Sequence, residues 1–244
     1  MYSTNTSPAI PIVFEDEHLL IIDKPTNMLS QKDHTGDPDV VTLCKDYLSN
    51  HRINKSPYIG LLHRLDRPVS GLMMLAKTKQ CARRMSELMK DQRVDKTYWA
   101  VVSGQTHANG YYEHFLRKDS NKNMVTAHHQ KKKGTKRAAL TYQRLSHNES
   151  PNISMVSVHL LTGRSHQIRV QFASEGHPVL YDHKYGGKTM QQNKNIALFS
   201  TALRFTHPIT NEHMKFRALP KTQDPWKYFS VEELARKHLP EYDD

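Results

Sequence analysis

The chain is 244 residues long and carries 35 lysines and arginines against 24 aspartates and glutamates, a formal net charge of +11. With 37% hydrophobic and 24% charged residues it is globular rather than disordered, and its two cysteines, Cys44 and Cys81, in no CxxC spacing, exclude a disulfide framework or zinc ribbon. No stretch approaches the roughly 18 apolar residues of a membrane span, and Met1 to Ile10 lacks the basic start and long apolar core of a signal peptide. A soluble, cytoplasmic monomer with a polyanionic partner, nucleic acid first, is expected.

Residues 1–9 and 240–244 are expected to fray. Ile10 to Phe14 and His18 to Ile22 read as two short strands around the acidic turn Glu15-Asp16-Glu17, and Pro25 ends the second. Asp39 to Asn50, with Val41, Leu43, Cys44 and Leu48, suits a short amphipathic helix, and His51 to Tyr58 reads as loop. The run Leu72-Met73-Met74-Leu75-Ala76 predicts a strand. Thr78 is placed to cap a helix through Asp91, with Ala82, Met85, Leu88 and Met89 as its core face.

Lys96 to Gly104 is a strand by its β-branched and aromatic content, Tyr98 and Ala100 on one face, Trp99 and Val101 on the other. Tyr111 to Leu116, Met124 to Ala127, Ala138 to Leu145 and Ile153 to Leu161 read as further strands. Between them, His128 to Arg137 is a basic exposed loop, and its paired histidines have no carboxylate or cysteine at ligand spacing, so no metal is expected. After Gly163, Ser165 is placed to cap a helix with Ile168, Phe172 and Ala173 as its apolar stripe, ended by Gly176 and Pro178. Ala197 to Thr206 and His213 to Arg217 predict a hairpin, and Pro225 to Leu239 a closing helix. No repeat or low-complexity linker marks a boundary, so residues 1–244 read as one α+β domain.

The chemistry concentrates in His63-Arg64-Leu65-Asp66-Arg67-Pro68-Val69-Ser70-Gly71. Pro68 and Gly71 exclude a helix, which puts Asp66 on a loop feeding the strand at Leu72. His63, Arg64 and Arg67 around one carboxylate favour its ionised form, suited to a nucleophile or base. The alternative is an ion pair from Asp66 to Arg64 or Arg67 that only ties down the loop. Tyr98 likewise reads, by itself, as a strand aromatic packed in the core.

Taken together, HRLDRPVSG at 63–71, KTYWAVVSG at 96–104 and TGRSHQIRVQFASEGHP at 162–178 resemble the RluA-type pseudouridine synthases. DHKYGG at 182–187, Asp23-Lys24-Pro25 and Phe205-Thr206-His207-Pro208 extend the resemblance from about Ile12 to Leu219. Val69 stands where many relatives have threonine, outside the charged core of the motif.

The resemblance implies a mixed, mostly antiparallel sheet with flanking helices around a central catalytic cleft. It implies isomerisation of uridine to pseudouridine in a transfer or ribosomal RNA stem-loop, with no cofactor and no metal. It implies Asp66 as the catalytic aspartate, Tyr98 as the active-site tyrosine and Arg164 as the aspartate's partner in a buried pair. His63, Arg64, Arg67 and Ile168 are expected to bind substrate, Arg64 by filling the space of a flipped-out base. An N-terminal S4-type domain is expected to be absent. An RNA-binding module without catalysis would lack the aspartate, tyrosine or arginine, and all three are here. A glycoside or nucleoside hydrolase wants a second carboxylate, and in the motifs at 96–104 and 162–178 only Glu175 is one.

Overall fold

The computed structural model describes residues 10–51, 57–186 and 194–239, so the expected fraying at 1–9 and 240–244 lies outside the described residues. Two compact units divide the chain, Met1–Val94 with Phe205–Phe216, and Asp95–Arg204 with Arg217–Asp244. No shift of composition announces the division at Val94.

In the first unit β1 (Ile12–Glu15), β2 (Leu19–Lys24) and β4 (Ser70–Ala76) form antiparallel ladders, with the short β3 (Gly60–Leu61) added to the end of β4. Leu19 to Ile22 and Leu72 to Ala76 are completely buried, which is why they read as continuous apolar runs rather than alternating ones. Helix α1 (Val40–His51) buries Val40, Cys44 and Leu48. Helix α2 (Lys79–Lys90) is capped as its sequence demands, the Thr78 hydroxyl accepting from Cys81 N at 3.2 Å. It buries Cys81 and Met85, while Arg84 reaches the Pro208 carbonyl at 2.9 Å. His207, 1% exposed, lies 3.1 Å from Asp16, and its Nδ1 accepts from Ile209 N and Thr210 N, closing the turn before β11 (His213–Arg217).

The second unit is an antiparallel sheet whose neighbouring strands are mostly not consecutive along the chain. β5 (Asp95–Ser103) lies between β9 (Ile153–Leu160) and β10 (Leu198–Thr206), and β9 continues through β8 (Lys136–Asn148) and β6 (Asn109–Asp119) to β7 (Met124–His128), every pairing antiparallel. β6 and β8 run several residues past their expected ends. Helix α3 (Gln167–Ser174) packs on β6 to β8 through Val170 against Leu116, Val125 and Ala138. Phe172 adds ring contacts at 5.1 Å to Tyr112 and 5.3 Å to Tyr142. Gly110 faces Tyr142 across the ladder, and a Cβ there would stand 2.2 Å from that ring, so only glycine gives the ring its place.

Two helices differ from expectation. α3 has no single apolar stripe: Gln167 to Phe172 are all buried, polar residues included, because protein surrounds it and each polar side chain finds a partner. The expected closing helix is interrupted. A 3-10 turn at Trp226–Tyr228 precedes α4 (Val231–His238), with Phe229 and Ser230 non-helical between them.

Candidate active site

The loop carrying Asp66 is fastened through its backbone. Ser30 Oγ donates to Leu65 O at 2.6 Å and accepts from Leu65 N at 3.2 Å. Thr26 Oγ1 donates to Pro68 O at 2.8 Å, and Lys24 Nζ to Arg67 O at 3.2 Å. Asp66 O accepts from Val69 N at 2.9 Å, closing a turn, and Gly71 at φ 109 leads into β4 through a conformation that side chains resist. The partly buried Asp66 side chain is thus presented from a main chain held on both flanks.

Lys24 is the cation that sequence reasoning did not single out, although it stands in the quoted Asp23-Lys24-Pro25. It is wholly buried, and its ammonium donates to Pro25 O (2.9 Å), Met28 O (2.7 Å) and Arg67 O (3.2 Å). Burial pushes its pKa down to about 7, the nearby Asp66 carboxylate opposing that fall. Three carbonyls around one nitrogen call for three hydrogens, so the geometry is that of the charged form.

The expected cations have other work. Arg67 pairs with Asp37 at 2.6 Å, both about half exposed. The His63 ring accepts from Met74 N at 3.0 Å, which makes it a support of β4. Arg64 is exposed.

In the second unit, Tyr98 is 6% exposed on β5, opposite Ser200 of β10 and Val158 of β9. The loop before α3 is built on Gln167. Its Oε1 accepts from Thr162 Oγ1 (2.8 Å) and Arg164 N (2.9 Å), and its Nε2 donates to Ala139 O (3.0 Å). Ser165 is not the cap: the N-cap is His166, left-handed at φ 54, with its ring on Tyr185 Oη at 2.7 Å. A left-handed N-cap lacks the extended geometry in which a side chain caps its own helix, and His166 makes no side-chain cap hydrogen bond.

Arg164 is exposed rather than buried, its Nε donating to Arg137 O at 3.0 Å. The buried pair of this motif belongs to Arg169, which meets Asp182 at 2.7 Å. Ile168, expected to bind substrate, is 4% exposed and sits in the core. Of the basic loop, Arg137 is engaged with Glu113 at 2.6 Å and Tyr111 at 3.1 Å; Lys184, in the DHKYGG stretch, donates to Asn123 O at 2.7 Å.

The fold has solved counterparts. The human proteins RNA pseudouridylate synthase domain containing 4 and domain containing 1 superpose with TM-scores of 0.72 and 0.71 at 20% identity, covering 93% and 96% of this chain and 93% and 97% of theirs. The architecture is that of a pseudouridine synthase.

The family model for RNA pseudouridylate synthase matches residues 18–174, a stretch holding Asp66, Tyr98 and Arg164. The chain belongs to that family, as the RluA-type motifs implied: enzymes that convert uridine to pseudouridine in RNA. Ribosomal large subunit pseudouridine synthase D of Escherichia coli K12 is 31% identical over 228 residues, 88% of this chain and 68% of that protein. The protein of that name from Vibrio parahaemolyticus is 30% identical over 248 residues (96% and 73%), and that from Haemophilus influenzae 30% over 220 residues (85% and 66%). The chain thus spans between 66% and 73% of the length of these three relatives.

Proposed function

We propose that this chain isomerises a uridine of large-subunit ribosomal RNA to pseudouridine, with Asp66 as the group that attacks the sugar. What carries the reading is the Asp66 loop: a carboxylate on a backbone fixed by Ser30, Thr26 and Lys24, beside a buried ammonium, in a chain of this family. Holding a nucleophile in one orientation is what lowers the barrier for attack on a bound nucleotide.

The reaction breaks the bond from ribose C1′ to N1 of uracil, turns the base and rejoins it through C5, from which a proton then leaves. Asp66 acts at C1′ as nucleophile or at C2′ as base. By the family motifs Arg164 and Tyr98 serve the same reaction, Arg164 as a cation and Tyr98 as a ring for uracil with its hydroxyl available to the C5 proton. The uridine must first leave its stack, at a cost of a few kcal/mol. Arg64 takes the vacated space. Exposed Lys131, Lys132, Lys133 and Lys136 hold phosphates, which offsets that cost and makes binding salt-sensitive. The ribosomal substrate is proposed from the relatives' names, and a cytoplasmic location accords with two free, buried cysteines. Among the described residues no helix is long and apolar enough to cross a membrane.

Tritium release from C5-labelled uridine RNA tests the chemistry. Asp66→Asn is expected to bind RNA and release nothing, and full release would remove Asp66 from the reaction. Mapping pseudouridines in host RNA with and without the gene tests the substrate: a lost site in large-subunit ribosomal RNA supports the proposal, and a lost site only in transfer RNA replaces it.

A further inference from the structure

Outside the residues assigned to the reaction, the second unit gathers His114, His129 and Glu175, one donor atom from each lying within 4.8 Å of the others. They come from three elements. His114 projects from β6 on the side covered by α3, and Glu175 is the C-terminal cap of α3. His129 follows β7, where the register that pairs Phe115 with His128 sets it beside His114, ring centroids 4.9 Å apart. From these positions we infer a binding site for one divalent transition-metal ion, zinc in the first instance, held by His114 Nε2, His129 and Glu175 with water in the fourth position.

Two imidazoles and one carboxylate are a donor set that suits zinc, whose ligands in a tetrahedron stand about 3.3–3.5 Å apart. His114 Nε2 and Glu175 Oε1 are already 3.0 Å apart, and closing the remaining separations needs only small rotations of the exposed His129 and Glu175 side chains. Calcium and magnesium, which want oxygen ligands, do not fit.

The inner atom of the cluster is the telling one. His114 is 1% exposed, and its Nε2 has no aligned hydrogen-bond partner despite the nearby carboxylate. A buried polar nitrogen 3.0 Å from a carboxylate with which it is not aligned calls for an explanation, and an ion is one.

The other ring nitrogen has a supporting partner. Gln171 Nε2 lies 3.1 Å from His114 Nδ1, while Gln171 Oε1 is buried without a partner. Metal on Nε2 requires a hydrogen on Nδ1, and turning the Gln171 amide end for end offers Oε1 to receive it. That turn gives up the Gln171 Nε2 contacts to Tyr112 O and Ala138 O at 3.2 and 3.3 Å, at the outer end of the hydrogen-bond range, and sets Oε1 beside those carbonyls, a cost that the ion's binding has to offset. An ion here ties the end of α3 to β6 and to the end of β7, and so steadies the helix that begins just after Arg164.

The test titrates zinc chloride into chelator-treated, full-length protein by calorimetry. One equivalent is expected to bind, with a rise in melting temperature. His129→Ala and Glu175→Gln, both at exposed positions, are each expected to weaken binding at least tenfold while keeping the far-ultraviolet circular dichroism of the wild type. His128→Ala, which alters the adjacent histidine, is expected to bind as the wild type does. Absence of saturable binding overturns the inference. So does binding that survives both His129→Ala and Glu175→Gln, since the ion then sits on other histidines of the chain.

Discussion

Arg169 and Asp182 meet through two parallel hydrogen bonds, Nε to Oδ2 and Nη2 to Oδ1, both 2.7 Å, with their side chains 3% and 0% exposed. Asp182 Oδ1 also accepts from Lys184 N at 2.9 Å and Tyr185 N at 3.2 Å. Tyr185 lies under the guanidinium at 5.3 Å, and its hydroxyl receives Val125 N at 2.8 Å. One ion pair therefore joins α3, the turn after Asp182 and β7.

Removing one member of such a pair strands the other in a dry interior, at a typical cost of ~3–5 kcal/mol. Asp182→Asn is expected to lose about that much stability in urea unfolding. A loss below about 1 kcal/mol would mean that the site readmits water.

The same pair sets an acid limit. Burial alone pushes the Asp182 carboxyl up, but the Arg169 hydrogen bonds and charge, with the two backbone N–H groups, outweigh it and leave the pKa below its ordinary value. The unfolded chain then takes up the proton first, so this contribution is whole above an unfolded pKa of about 3.9 and fades as the pH falls below it. Between pH 7 and pH 3, Asp182→Asn is expected to lose less of its remaining stability than the wild type. Parallel losses would assign the acid sensitivity to other carboxylates.

Lys24→Met removes an ammonium from three carbonyls and from the neighbourhood of Asp66. A hydrogen bond to a charged group is worth ~1.5–3 kcal/mol, and the Arg67 O tie is the one that bears on the Asp66 loop. Turnover in the tritium-release assay is expected to fall at least tenfold, with RNA affinity changed much less. Equal losses in turnover and affinity would indicate general unfolding of the first unit.

Gln167→Glu keeps the shape of the side chain that builds the Arg164 loop and replaces its amide donor with an oxygen facing Ala139 O. The expected cost is ~1–3 kcal/mol for the buried group left without its partner, with turnover reduced through a displaced Arg164. Unchanged turnover would show that the loop does not depend on this side chain.

Much of this was legible in the chain. The strand at Leu72, the α2 cap at Thr78, the β5 strand through Tyr98 and the stop at Gly176 followed from periodicity, capping and turn chemistry, all of which act over a few residues. The family followed from three short motifs. The roles of the second arginine in TGRSHQIR and of Lys24 did not, because a buried ion pair over thirteen residues and a lysine reaching forty-three residues to Arg67 O leave no local signature.

Sequence alone determined the strands, the capped helix and the identity of the charged loop, since these depend on each residue and its near neighbours. Tertiary structure decided which charges are used up by the fold. It engaged Arg67, Arg137 and His63 with other groups, buried Arg169 against Asp182, and brought His114 and Glu175 to a histidine that has no ligand-spaced neighbour along the chain. The reason is physical: burial and pairing depend on what other segments place within a few ångströms, and strand register, not sequence distance, sets that.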